Sequence, residues 1–331
     1  SLILFRGQNS GIEITNCQFI GTSNTSTLLN GIAAGTSIYY TSPAGWFIDR
    51  FSGLVKNNTF NLPTGQSAVF LASGTGDASR VVGNNITVTN YGVYAQAVGP
   101  NPDIRIDSNT VVANSVTAGY GIYVFGSTTT NTTQGQTTPP FWRQALIRNN
   151  NVKANYFGLS VLQTFGTSIA RSVVANNIVT DFNNQNTSTA RGLYFYVVGN
   201  LDVHHNSVLL TGGSAGAGRA AFFNGLVGTT APTGWTYNMQ SGVSFANNIL
   251  ANYGSGQVIG FQPQTTSTAY PTATSLYSTM FSTLNNNTYY GLGTSTVLFQ
   301  YGSPITDFTA YKASLPVGFE TNSLLANPEY N

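Results

Sequence analysis

Asp103, Arg105 and Asp107 alternate with Ile104 and Ile106, so three charged side chains share one side of a short extended segment. Such a set has two uses. It forms solvent-facing ion pairs, each worth about 0–1 kcal/mol, or it builds a small cation or substrate site in which Arg105 or Arg148 acts as a base. Arg171 and Asp202 make a second opposite-charge set. His204 and His205 are the chain's two histidines. An imidazole there can act as a general base or metal ligand, or stand as a polar member of a stacked row. Neither histidine lies in a recognisable metal-ligand spacing. No catalytic residue, metal site or cofactor is assigned.

A second set is aromatic. Glycine opens a recurring short strand in Gly92-Val-Tyr-Ala95, Gly121-Ile-Tyr-Val124, Gly158-Leu-Ser-Val161 and Gly192-Leu-Tyr-Phe195. Ser67–Phe70 and Ala221–Asn224 are looser copies. Alternation along each strand sends Val93, Ile122, Leu159 and Leu193 inward. Tyr94, Tyr123, Phe125, Tyr194, Tyr196 and Phe223 are then expected outward on one face, as candidate ligand-binding residues. Outward aromatics can meet the apolar faces of sugar rings, and an exposed apolar patch of that size marks an interaction site. The partner expected on this ground is a polysaccharide or glycan surface. In the alternative, inserted loops carrying Pro139, Pro140, Phe141 and Trp142, or Trp235 and Tyr237, fold over the face and bury it.

These strands belong to a repeat. The pattern apolar, any, Asn, Asn, any, apolar runs from Ile14–Phe19 through Val55–Phe60, Val82–Thr87, Ile106–Val111, Ile147–Val152, Val174–Val179, Val203–Val208 and Phe245–Leu250 to Leu284–Tyr289. The fourth position is Asn58, Asn85, Asn109, Asn150, Asn177, Asn206, Asn248 and Asn287, with Cys17 in the first copy. Copies lie 24 to 29 or 39 to 42 residues apart, which fits a coil of three short strands with or without an insertion. Asn tolerates the left-handed backbone of a sharp corner. Stacked coils lie about 4.8 Å apart, so each amide can donate to one neighbour and accept from the other. The reading is an all-β, right-handed parallel β-helix with an asparagine ladder and long loop insertions. The loops are expected at 126–143, 211–240 and 262–283.

Composition agrees. Hydrophobic residues make up 41 % and charged residues 7 %, against roughly 25 % charged in an ordinary soluble domain. A net charge of +2 gives no field to attract nucleic acid. One cysteine excludes an internal disulfide, and Cys17 is expected as a small buried residue. No apolar run approaches the ~20 residues of a membrane span. Residues 1–331 read as one domain, opening in mid-pattern as a piece of a longer secreted polypeptide, further domains of which are possible partners.

With this ladder the chain resembles the right-handed parallel β-helix proteins that include pectate lyases, polygalacturonases, phage tailspikes and bacterial surface proteins. Its ending, Asn322-Ser-Leu-Leu-Ala-Asn-Pro-Glu-Tyr330, resembles a segment of large secreted bacterial β-helix proteins, with Asn327 where that segment carries Asp. The resemblance implies an extracellular or cell-surface location. In its catalytic members, lyases need clustered carboxylates for calcium plus an Arg or Lys base, and hydrolases need two or three close Asp residues. This chain has ten carboxylates, none in an Asp-Asp pair. The expectation is therefore a non-catalytic module for adhesion or carbohydrate binding. A polysaccharide lyase or glycoside hydrolase is the first alternative, and a structural stalk or fibre element the second.

Overall fold

The computed structural model describes residues 2–5, 8–21, 30–34, 50–64, 67–73, 76–98, 102–115, 119–126, 141–182, 190–211, 218–226, 240–254, 256–264, 273–291, 299–301 and 303–329. Three parallel sheets run side by side along one axis. The first stacks nine strands from Ile3–Phe5 to Gln257–Gln264, the second nine from Gln8–Thr15 to Phe281–Asn285, and the third ten from Gln18–Ile20 to Leu324–Leu325. Each coil contributes one strand to each sheet. The chain is a right-handed parallel β-helix with an asparagine ladder, as its repeat predicts.

Alternation sets the inside. Val93, Ile122, Leu159 and Leu193 are in register on successive strands and are buried, as expected. β-Branched and aromatic residues suit these flat, half-buried strands. One hydrophobic core runs the length of the stack, from Ile14 to Tyr311 and Leu315. Trp142 is fully buried in that core and donates from its indole Nε1 to the Phe125 carbonyl at 3.0 Å. It is a core residue and not a lid. Pro139, Pro140, Trp235 and Tyr237 lie outside the described residues.

The corner between the second and third sheets divides its work between two positions. The third residue of the motif takes the left-handed conformation, with φ between 54° and 59° at Asn16, Asn57, Ser108, Asn149, Asn176, His205, Asn247 and Asn286. The fourth residue carries the ladder. Asn109 donates both its backbone N–H (3.0 Å) and its Nδ2 (2.9 Å) to Asn150 Oδ1. Asn150 does the same to Asn177, Asn177 to Asn206, Asn206 to Asn248 and Asn248 to Asn287. The second Nδ2 proton goes to a strand carbonyl one coil back, such as Ile106 O at 3.0 Å from Asn150. The side-chain amides of these ladder members are thereby satisfied without water.

One copy is displaced by a residue from expectation. The ladder member after Asn58 is Asn84, which is 1 % exposed, whereas Asn85 is exposed on the following strand. Gly83 takes the left-handed corner (φ 66°), so the motif there starts at Val81. Cys17 is also corrected. Its backbone N–H donates to Asn58 Oδ1 at 2.9 Å, but its thiol is exposed. At the other end Asn287 donates to Ser323 Oγ at 2.8 Å, which prolongs the ladder by one rung.

The expected loops are partly structured. Segments 127–140, 212–217, 227–239 and 265–272 lie outside the described residues. Within the same stretches, Arg219–Leu226 is a full strand of the first sheet, and Ala273–Met280 is a helix leading into the strand Phe281–Asn285. No helix among the described residues is long and apolar enough to cross a membrane.

Candidate functional site

Asp103, Arg105 and Asp107 lie on one strand of the second sheet, and Asp107 is in register with Arg148 one coil on. Asp107 is 3 % exposed. Its carboxylate accepts from Arg105 at 2.7 Å, Ser108 Oγ at 2.8 Å, Asn149 Nδ2 at 3.0 Å and Arg148 at 3.5 Å. Burial opposes the charge, but the hydrogen bonds from Asn149, Ser108 and Arg105 outweigh it and hold its pKa below the ordinary range. Asp103 pairs with Arg143, and Asp202 with Arg171 at 2.8 Å. Each of these carboxylates is thus bound by an arginine. A carboxylate with four donors around it is poorly placed to take a proton. The arrangement is that of coil-to-coil ion pairs.

His204 occupies the same column as Arg148 and Ala175, with two coils between it and Asp107. Its Nδ1 lies 2.9 Å from Nδ1 of His205. Burial, and then the neighbouring His205, lower the His204 pKa. Among the described residues no group of three or more His, Cys, Asp or Glu could hold a metal ion.

The outer face of the first sheet is where the aromatic residues gather. Phe70, Tyr94 and Tyr123 follow in register, with ring centroids 4.9 and 5.3 Å apart and nearly parallel planes. Tyr91 and Tyr120 stack beside them at 4.5 Å. Phe125 stacks on Tyr123 at 6.1 Å. Ser160 interrupts the main row, and Phe157 fills the gap by stacking on Tyr194 at 5.0 Å. Tyr194 then stacks on Phe222 at 5.7 Å. Tyr196 lies in the adjacent column, between Leu162 and Asn224.

Phe223, expected outward, points inward. It is 1 % exposed and stacks on Phe195 and Phe261 in the core, and Phe222 holds the outward position. Tyr94, Tyr123, Phe125, Tyr194 and Tyr196 are half-buried. Because the rings stack along the axis, their faces cover one another. What they offer to solvent is ring edges and phenol hydroxyls. Burial raises the pKa of Tyr91, Tyr120 and Tyr194, so these phenols stay protonated and act as donors.

Sequence reading missed three features of this face. Arg191 and Arg219 are in register on adjacent strands, and both guanidiniums lie over the Phe222 ring, at 4.7 and 4.1 Å from its centroid. Burial and then repulsion from Arg219 lower the Arg191 pKa to about 10. Ser160 Oγ, Gln163 Oε1 and Asn224 Oδ1 are buried with no hydrogen-bond partner, although Asn224 Nδ2 donates to the Tyr194 hydroxyl at 3.2 Å. Finally, Gln163, Val197 and Gly225, on three consecutive coils, all have positive φ (50°, 50° and 111°). A β-branched residue there costs of order 1–3 kcal/mol. The signal in sequence was a basic residue preceding the strand motif in two consecutive coils, in Arg191-Gly192 and Arg219-Ala220.

Fold and face together define a parallel β-helix with an aromatic row on one outer sheet. Comparison of the chain with family models, curated proteins and solved structures finds no match.

Proposed function

We propose that the chain is a non-catalytic β-helix module of a secreted or cell-surface bacterial protein, related in kind to the pectate-lyase-like β-helices, and that it binds a polysaccharide along the outer face of its first sheet. The observation that carries this reading is the aromatic row from Phe70 through Tyr94, Tyr123 and Phe157 to Tyr194, five coils long, with each of these rings half-exposed. A chain of sugars lying along the axis would meet ring edges for apolar contact and protonated phenols for hydrogen bonds. The engagement of Asp107 by four donors is what weighs against the lyase or hydrolase reading of the second sheet.

The test is retention on a panel of soluble and insoluble polysaccharides, with product release assayed in the same tubes and calcium present. Binding without products is expected, weakened tenfold or more in a Tyr123→Ala/Tyr194→Ala double variant that still melts cooperatively. Release of unsaturated or reducing sugars would overturn the reading. An architectural stalk is the second reading, favoured by the ring-on-ring stacking itself. It predicts no retention of any polymer and a lowered melting temperature in the same double variant.

A further inference from the structure

At the corner between the second and third sheets, one coil carries imidazole in two adjoining columns. His205 takes the left-handed corner position (φ 55°), where the coils before and after it carry Asn176 and Asn247. His204, the last residue of its strand, is in register with Ala175 and Ala246. A methyl group on either side in that column leaves room beside the ring. His204 is half-buried and His205 exposed, so both rings can be reached from solvent.

The two rings meet nitrogen to nitrogen. Their planes stand at 88°, and the two Nδ1 atoms are 2.9 Å apart. Between neutral rings this contact is one N–H donating to one lone pair. Moving that proton to Nε2 of its own ring leaves two lone pairs at the same gap. Two nitrogens bound to one metal ion at about 2.0–2.1 Å stand about 2.9 Å apart at a right angle, and about 3.3–3.4 Å apart at the tetrahedral angle. The separation here is that of the right angle, the preference of tetragonal ions such as copper(II) and nickel(II) and not of zinc. Asp202, two residues back on the same outward side, adds a negative charge that acts on His204 although it also pairs with Arg171.

We infer that His204 and His205 form a copper(II) site, an open chelate of two imidazole nitrogens whose other positions are left to water and oxygen donors. Asn176 and Asn247, exposed one coil away on either side of His205, carry amide oxygens suited to those positions. Two nitrogens make an open site and not a closed cage. The inference does not rest on the glycan reading, since the aromatic row belongs to the first sheet.

The test is calorimetric titration of the protein with copper(II), nickel(II) and zinc chlorides in a non-chelating buffer, with EPR of the copper-loaded protein. One copper ion per chain is expected, bound at least tenfold more tightly than zinc, with a spectrum split by two imidazole nitrogens. His204→Ala and His205→Asn each install the residue that the neighbouring coils carry at the same position, so both variants should fold. Each should weaken copper binding at least tenfold. Copper should raise the melting temperature of the native chain and not that of the double variant, because only the former has a site that favours the folded state. No copper binding, or binding unchanged in the double variant, overturns the inference. So does zinc bound as tightly as copper, or a spectrum showing fewer than two imidazole nitrogens.

Discussion

Asn176 and Asn177 are the same amino acid doing different work. Asn176 sits at φ 56° with its side chain exposed, so it supplies a backbone conformation. Asn177 accepts two hydrogen bonds from Asn150 and donates to Ile147 O at 3.0 Å and Asn206 Oδ1 at 2.9 Å, all of them buried. The substitutions separate the roles. Asn176→Gly should be close to neutral, because glycine adopts the left-handed region freely, while Asn176→Ala should cost about 1–2 kcal/mol. Asn177→Ala strands several buried polar groups at about 1–3 kcal/mol each, so its loss should exceed that of Asn176→Ala severalfold. Urea denaturation of the three variants decides this. Equal costs at the two positions would show that the ladder is an ornament of the turn. Both asparagines were visible in the sequence as a pair. Their division of labour was not, because a repeated Asn-Asn does not say which member bends the backbone.

At the scale of the strand, the sequence was legible wherever a column was chemically uneven. Single aliphatic residues set between an opening glycine and a tyrosine or serine marked the inward set Val93, Ile122, Leu159 and Leu193. Where two like residues adjoin, the frame slipped by one. Val81-Val82 and Asn84-Asn85 admit two alignments, and so do Ala220-Ala221 and Phe222-Phe223. Burial of Val81 and Ile86 chooses the first, and the register of Ala221 with Leu193 and of Phe223 with Phe195 chooses the second; only neighbouring coils supply that information. The opening glycines carry a further constraint. A Cβ on Gly121 would stand 2.2 Å from Val152 Cγ1 and 2.6 Å from the Gly158 carbonyl. Gly92, Gly158 and Gly192 meet the corresponding valines at 2.1 to 2.2 Å. These glycines are spacers between the first and third sheets. Gly121→Ala should destabilise by about 1–3 kcal/mol, the range for overpacking a filled core. Adding Val152→Ala should recover only part of that, because the carbonyl contact persists. Full recovery in the double variant would mean that the side chain alone sets the spacing.

For the molecule as a stack, the exposed cross-section at the end of the coils is the weak point, since terminal units of a solenoid need a polar or folded cover. Here the cover is the segment after Ile305. The helix Phe308–Ala313 buries Tyr311, and Leu324–Leu325 adds a tenth strand to the third sheet. Between them Glu320 is fully buried, with its carboxyl accepting from Tyr289, Tyr311 and Ser323. The sequence showed this tail only as an irregular ending, because its contacts are made once and not repeated. Burial raises the Glu320 pKa above its ordinary 4.5, and the surrounding hydrogen bonds only partly offset it. The folded cap therefore binds a proton that the unfolded chain releases at lower pH, so its stability falls as pH rises above 4.5 and through the raised value. Asp107 acts in the opposite sense and in a separate window, losing stability as pH falls below about 3.8. The two are told apart by position. The Leu324 and Ala326 amides, which donate to Asn287 O and Tyr289 O, report the cap, and the Ile178 amide, donating to Asn150 O, reports the middle of the stack. Corrected for intrinsic rates, amide exchange should show cap protection declining with pH above 4.5 while Ile178 stays protected, and Glu320→Gln should flatten the cap's profile. Cap protection that is constant with pH, or unchanged by Glu320→Gln, would mean that the buried carboxyl is held ionised by its three donors and that the end of the helix carries no proton-linked weakness.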